Sequence, residues 1–464
     1  MRKIKLGATL CLTFVLVATG IFACGLLTGC GEEKCVTGEG GVQLDFAATN
    51  KKKTTIKVYA DGEDYMAELI PAFEAANPTI NVEFTQVGTV DSRARMQLEG
   101  KDGADVFVFP HDHIGAAVGS KMLMEMPEDV ATRLSETLID STMATVKNNG
   151  KYIGVPLSAE TIGLFYNEEL VIEVLEDAKV GLADKAAEIK AGKALDEVLT
   201  LNEIFEIGQK YNTISGEENN YFFGIDIDDF YHSQLFLSAF GYQIFGETHD
   251  DATKPNFTQA GVKKGLEFIL NYAYKDGDVT KDRVMPLTSA LTSDNYTKSF
   301  YAGNTAIISC GPWCIADAKK GAEDSGFTLR VTKYPVITEG NEKLQPYTFS
   351  GVQVAGVSAY TQHAGEAWKF AEFMASAEGA SILYKTTGKL PCLKDTSSID
   401  GLATDEYLSG ISKQLAFANA MPSITEMGYM WTIGATLFQQ VFDGSDIDKA
   451  IADADASYKQ LAKL

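Results

Sequence analysis

Carboxylates and aromatic rings recur together where the strands of this chain give way to helices. Phe109, Asp112 and His113 follow the apolar run ADVFVF, and Glu160 follows VPLSA. Asp228, Asp229, Phe230 and Tyr231 follow FFGIDI, Trp313 follows a Gly311-Pro312 turn, and Trp431 lies in MPSITEMGYMW. Carboxylates accept hydrogen bonds from hydroxyls, and aromatic faces stack on the C–H faces of sugar rings. The pattern suits saccharide binding, although any one of these rings would be equally at home in a core. Asp112 and Glu160 are also the one pair that could hydrolyse a glycosidic bond, if about 5 to 9.5 Å apart.

Other chemistries lack their residues. The sequence contains no G-x-S-x-G elbow, no H-E-x-x-H and no G-x4-G-K-[ST] loop. His111-Asp112-His113 is the one histidine cluster, and it would need distant ligands to hold a metal. After Cys30, the close cysteine pair is Cys310 and Cys314, without a second Cys or His pair to make a zinc site. It reads as two small buried residues or as a local disulfide. No cofactor is expected.

The elements that must position these residues alternate. Thr55–Ala60 reads as a strand, Tyr65–Ala76 as a helix and Asn81–Val87 as a strand. Asp91–Glu99 reads as a helix, and Ala104–Phe109 as a strand buried on both faces. Strands are also expected at 152–157, 162–166, 221–227, 305–309 and 327–333, and helices at 234–240 and 261–274. The last third reads as helices at 364–386, 404–420, 425–442 and 446–463. Residues 174–198, rich in Ala, Lys and Glu, read as an amphipathic helical insertion at the surface, and Thr200-x-x-Glu203 as a capping box. Such alternation predicts an α/β fold with helices on a mostly parallel sheet. In such sheets ligands bind beyond the carboxyl ends of the strands. The 464 residues are enough for about two domains.

Before them comes a basic start (Arg2, Lys3, Lys5), an apolar stretch to Leu27, and Thr28-Gly29-Cys30. This resembles a bacterial lipoprotein signal, cleaved before Cys30, whose thiol then carries the lipid. Residues 30–53 read as the lipidated cysteine and a flexible tether. Net charge is −23, and removing the three positive charges of the leader brings it to −26. So acidic a chain is unsuited to nucleic acid, which needs a basic footprint.

The chain resembles the bacterial extracellular solute-binding proteins, in particular the maltose/maltodextrin-binding type. The resemblance lies in KVYADGEDYMAELIPAFEAANP, ADVFVFPHDHIGAAVGSKMLMEM, GKYIGVPLSAETIGLFYNEEL, FYAGNTAIISCGPWCIADA and MPSITEMGYMWTIGATLFQQV, in that order. It implies a two-lobed, type II periplasmic-binding-protein-like fold whose lobes close on a saccharide. The N-lobe would be 54–160 plus 355–402 and the C-lobe 163–349 plus 407–464, with hinges near 159–162, 350–354 and 401–406. It further implies Asp61, Asp112 and Glu160 as polar sugar ligands. Phe109, Phe230, Trp313 and Trp431 would be the stacking rings, and Glu63, Asp64 and Asp91 would be loop residues near the reducing end. The chain departs from the family at Phe109 (commonly Trp), Asp64 (commonly Lys) and His113 (commonly Arg), which removes two cationic donors. The implied role is capture of maltodextrin, or of another oligosaccharide, by a lipid-anchored monomer outside the cytoplasm. An ABC transporter permease would take the sugar on, with no reaction at the sugar.

Overall fold

The computed structural model describes residues 53–215, 221–273 and 293–464. The expected leader, Cys30 and all but the last residue of the tether lie outside them. Among the described residues no helix is long and apolar enough to cross a membrane.

The first sheet grows from β1 (Thr54–Ala60), β2 (Ile80–Gln86) and β3 (Val106–Pro110), with β1 parallel to both others. β4 (Val155–Glu160) ends this stretch, and three residues later β5 (Gly163–Asn167) opens a second sheet. That sheet is completed by β6 (Phe223–Gly224), β7 (Ile307–Cys310) and β8 (Leu329–Thr332), in the order β8-β5-β7-β6. The chain then returns as the ten-residue β9 (Thr348–Val357), which inserts between β3 and β4 and runs antiparallel to both. β10 (Leu390–Pro391) adds to β4, and β11 (Ala418–Ala420) to β9, giving the order β10-β4-β9-β3-β1-β2 with β11 off the path.

A mostly parallel sheet is therefore not what forms. β9 is a single strand returning from the other sheet, so it meets β3 and β4 head to tail. Its sequence, TFSGVQVAGV, holds two glycines and read only as a hinge. The strand expected over 221–227 shrinks to Phe223–Gly224, and the expected helix 364–386 is two helices, Ala364–Met374 and Ala377–Thr387. Ser376 caps the second of these by accepting from the Gly379 N–H.

Helix Glu63–Ala76 buries Tyr65, Met66, Leu69 and Phe73 against the first sheet, and Phe73 meets Phe370 edge-on at 4.9 Å. Its start is fixed by Gly62, whose φ of 94° is open to glycine and costly for other residues. That sharp turn leaves Asp61, Glu63 and Asp64 exposed at the carboxyl end of β1. The 174–198 stretch spans parts of three helices, Glu168–Glu176, Ala183–Lys190 and Leu195–Val198. Val174, Leu175, Ala186, Ile189, Leu195 and Val198 bury one face of it in the core beside the second sheet. The capping box at Thr200 forms: Glu203 accepts from the Thr200 N–H at 2.9 Å, and Thr200 Oγ1 accepts from the Glu203 N–H at 3.3 Å.

Candidate ligand-binding site

A cavity of about 400 Å³ opens at the carboxyl ends of β1 and β3. Asp61, Glu63, Asp64, Tyr65 and Thr89 line one wall, and Ser158, Gln353, Thr386, Thr387 and Lys389 another. Trp313, Ala316 and Asp317, from the turn after β7 and its following helix, close it from the side of the second sheet. Trp313 is 38% exposed, unusually open for tryptophan.

Beside this cavity the two halves meet through polar contacts. Trp431, on helix Met427–Phe442, donates its indole N–H to Asp112 Oδ2 at 3.1 Å. Asp112 is buried, its Oδ1 has no partner, and burial raises its pKa to about 7 against the lowering influence of the Trp431 bond. His113 lies alongside, 3.9 Å from Asp112 Oδ2, with Nδ1 buried and unpartnered. Burial holds its pKa near 4, so it is neutral at pH 7. Arg93, on helix Thr89–Glu99, acts electrostatically on both, and its Nε is likewise buried without a partner.

Within the His-Asp-His triplet, His111 is not free to ligate a metal. His111 Nδ1 accepts from the Val352 N–H at 3.0 Å, so Nε2 must carry the proton it donates to the Met421 carbonyl at 2.8 Å. Both ring nitrogens are committed. The burial that enforces this neutral tautomer lowers the His111 pKa to about 4.

Glu160 ends β4 and is enclosed. Oε1 meets Lys389 Nζ at 3.1 Å and the Ser158 hydroxyl at 3.1 Å, while Oε2 accepts from Gln353 Nε2 at 3.0 Å. The remaining polar atom of Gln353, Oε1, is buried and unpartnered, as is the Tyr65 hydroxyl. Both residues line the cavity, so these atoms are hydrogen-bonding capacity the fold leaves unused.

The aromatic residues divide. Tyr231 lies 6.2 Å from Trp313 and 6.4 Å from Trp431, ring centre to ring centre, bridging the two indoles. Phe349 backs this cluster, 6.0 Å from Trp431. Phe109 and Phe230 turn into the core. Phe109 is fully buried, stacked on Phe107 at 5.0 Å. Phe230 is 1% exposed, packed against Gly434, where an added Cβ would fall 2.2 Å from the ring. Neither presents a stacking face. Asp91 is exposed in the first turn of its helix and does not line the cavity. Asp228 is half-buried beside Asp229, which caps helix Phe230–Ala239 by accepting from the Tyr231 N–H at 2.8 Å.

Sequence reasoning missed Arg93, Lys389, Gln353 and Phe349. A positive charge on an amphipathic helix or after a glycine reads as surface, and nothing local marks its partner. The cysteine pair resolves in favour of the disulfide: Cys310 and Cys314 are bonded and buried.

The sequence profile of the bacterial extracellular solute-binding proteins matches residues 68–408. The chain belongs to this family. Among the relatives of this solute-binding protein is a galactooligosaccharide-binding protein of Bacillus subtilis, 24% identical over 430 residues, 90% of this chain and 91% of that one. Another is a maltooligosaccharide ABC transporter solute-binding lipoprotein of Streptococcus pneumoniae, 22% identical and matched over 96% of both chains. Its fold matches that of MalX from Streptococcus pneumoniae, solved in complex with maltopentaose, with a TM-score of 0.71 at 21% identity, over 88% of this chain and 100% of that one. The fold is thus the two-lobed type II arrangement.

Proposed function

We propose that this protein captures maltodextrins outside the cytoplasm and delivers them to an ABC transporter permease. The observation that carries the reading is the exposed Trp313 ring at a cavity rimmed by Asp61, Glu63 and Asp64. An apolar face opposite a ring of acceptors matches the two kinds of surface a glucan presents. The names of the Streptococcus pneumoniae relatives support the α-glucan assignment. Trp313 supplies stacking, with Tyr231 and Trp431 behind it, while Asp61, Glu63, Asp64 and Asp112 accept from hydroxyls. Arg93 supplies the cationic donor that Asp64 and His113 lack.

In this reading the lobes are 54–160 plus 355–402 and 163–349 plus 407–464, joined near 159–162, 350–354 and 401–406. Ligand shifts an open–closed equilibrium because it touches both halves only when they are closed. No bond is broken. Glu160, the partner a hydrolase would need beside Asp112, has both oxygens engaged by Lys389, Ser158 and Gln353. The protein works as a monomer held to the membrane by lipid on Cys30, in keeping with a relative named a lipoprotein.

A second reading keeps the fold and the transport role but changes the sugar to a galactooligosaccharide. It is favoured by the name of the Bacillus subtilis relative. Calorimetric titration with maltotriose, then with unrelated oligosaccharides, separates the two. Micromolar binding confined to maltotriose establishes the first. Heat only with a galactooligosaccharide establishes the second, and heat with neither overturns both.

A further inference from the structure

We infer that the Cys310–Cys314 disulfide positions Trp313, clasping the turn so that the indole is held out over the cavity before any ligand arrives. The inference rests on the reading of Trp313 as a stacking ring.

The bond encloses three residues, Gly311, Pro312 and Trp313. β7 ends at Cys310, a short 3-10 turn spans Pro312–Cys314, and helix Ile315–Ser325 begins at the next residue. The two sulfur-bearing residues are 3% and 5% exposed while the tryptophan between them is 38% exposed, so the clasp is anchored inside and its load projects. Gly311 completes the arrangement. An added Cβ there would fall 2.2 to 2.3 Å from the indole, so the ring folds back over a position where only glycine leaves room. Behind the turn, Ser309 is fixed by the Tyr334 hydroxyl at 2.5 Å and by His232 Nδ1 at 2.8 Å.

A disulfide stabilises a whole fold chiefly by closing a long loop in the unfolded chain. A bridge enclosing three residues closes a short loop and stabilises the whole fold less than a long-range bridge would, so its main effect is on the turn itself. A large exposed side chain on a free turn would lose rotamer freedom on stacking, and a clasped one has less to lose. The family is extracellular, where such bonds persist. The remaining described cysteine, Cys392, is buried with its thiol pKa raised to about 12, and does not compete for exchange.

The test uses the full chain, with maltotriose as ligand and peptide mapping to establish the 310–314 bond. Affinity is compared among the oxidised protein, the protein reduced with a phosphine, C310S/C314S, W313A and the triple variant. Reduction and C310S/C314S are each expected to weaken binding about tenfold with little change in Tm, and to cost nothing further in the W313A background. A ligand-free readout accompanies these: 19F NMR of 5-fluorotryptophan protein, which has three tryptophans. On reduction the resonance lost in W313A should shift or broaden while that of Trp368 holds still. Unchanged affinity and an unchanged Trp313 resonance on reduction would overturn the inference even if W313A abolishes binding. So would an equal loss in the W313A background, or free thiols at 310 and 314 in exported protein. If W313A itself binds normally, the stacking reading fails and the inference falls with it.

Discussion

Trp431 and Asp112 are 319 positions apart in the chain, and their side chains are joined by one hydrogen bond of 3.1 Å. The indole N–H satisfies one carboxylate oxygen and leaves the other buried and bare. Asp112 is thus held between two states: ionised, with a donor on one oxygen, or protonated, as its burial favours.

That balance predicts a pH dependence. The folded pKa of Asp112, about 7, is above the ordinary 3.8, so the folded protein binds the extra proton between those values. Its contribution to stability is full below about pH 4, is lost as pH rises to about 7, and is flat beyond. His111 and His113, both lowered to about 4, act in the opposite direction between about pH 4 and 6.5. The difference in Tm between wild type and Asp112→Asn isolates the aspartate. Asn should gain relative to wild type as pH goes from 4 to 7. A constant difference would show that Asp112 does not titrate there.

Arg93 should matter to affinity more than to stability. Its Nε is buried without a partner beside Asp112 and His113. A charge-assisted hydrogen bond contributes about 1.5 to 3 kcal/mol, so Arg93→Met should weaken maltotriose about ten- to a hundredfold. Calorimetry checks the affinity and a thermal melt the fold. Normal affinity would remove Arg93 from the site.

The Glu160–Lys389 pair should behave in the reverse way. Glu160 is 5% exposed and depends on Lys389 for its countercharge. Lys389→Met strands a buried carboxylate and should cost about 3 kcal/mol in urea unfolding. Adding Glu160→Gln should restore much of it. A full loss in the double variant would mean that Lys389 acts through packing alone.

Gly115 packs tightly against the 423–425 segment. Its N–H donates to the Ser423 carbonyl at 3.0 Å, and an added Cβ would lie 2.5 Å from the Thr425 nitrogen. Gly115→Val should wedge the halves apart, leaving the melting temperature near wild type but weakening ligand at least tenfold. Small-angle scattering should show a larger radius of gyration that ligand no longer reduces. A normal ligand-induced contraction would show that this contact does not limit closure.

The sequence carried much of what repeats locally. An alternating run marked β1, a continuous apolar run marked β3, and period-3.6 runs marked helices such as Glu63–Ala76 and Met427–Phe442, because a face must be buried whatever it is buried against. Thr200 and Glu203 marked a helix start, since both partners lie within one turn. The acidic residues after β1 and Trp313 after its Gly-Pro turn were likewise legible, and the cavity gathers them. Only the tertiary structure decided the rest. It turned Phe109 and Phe230 into cores, paired Lys389 with Glu160, set Arg93 against Asp112 and ran β9 antiparallel between β3 and β4. Each of these depends on which distant segments meet. A side chain's partner from across the fold is fixed by packing and burial, and neither leaves a periodic trace in the sequence.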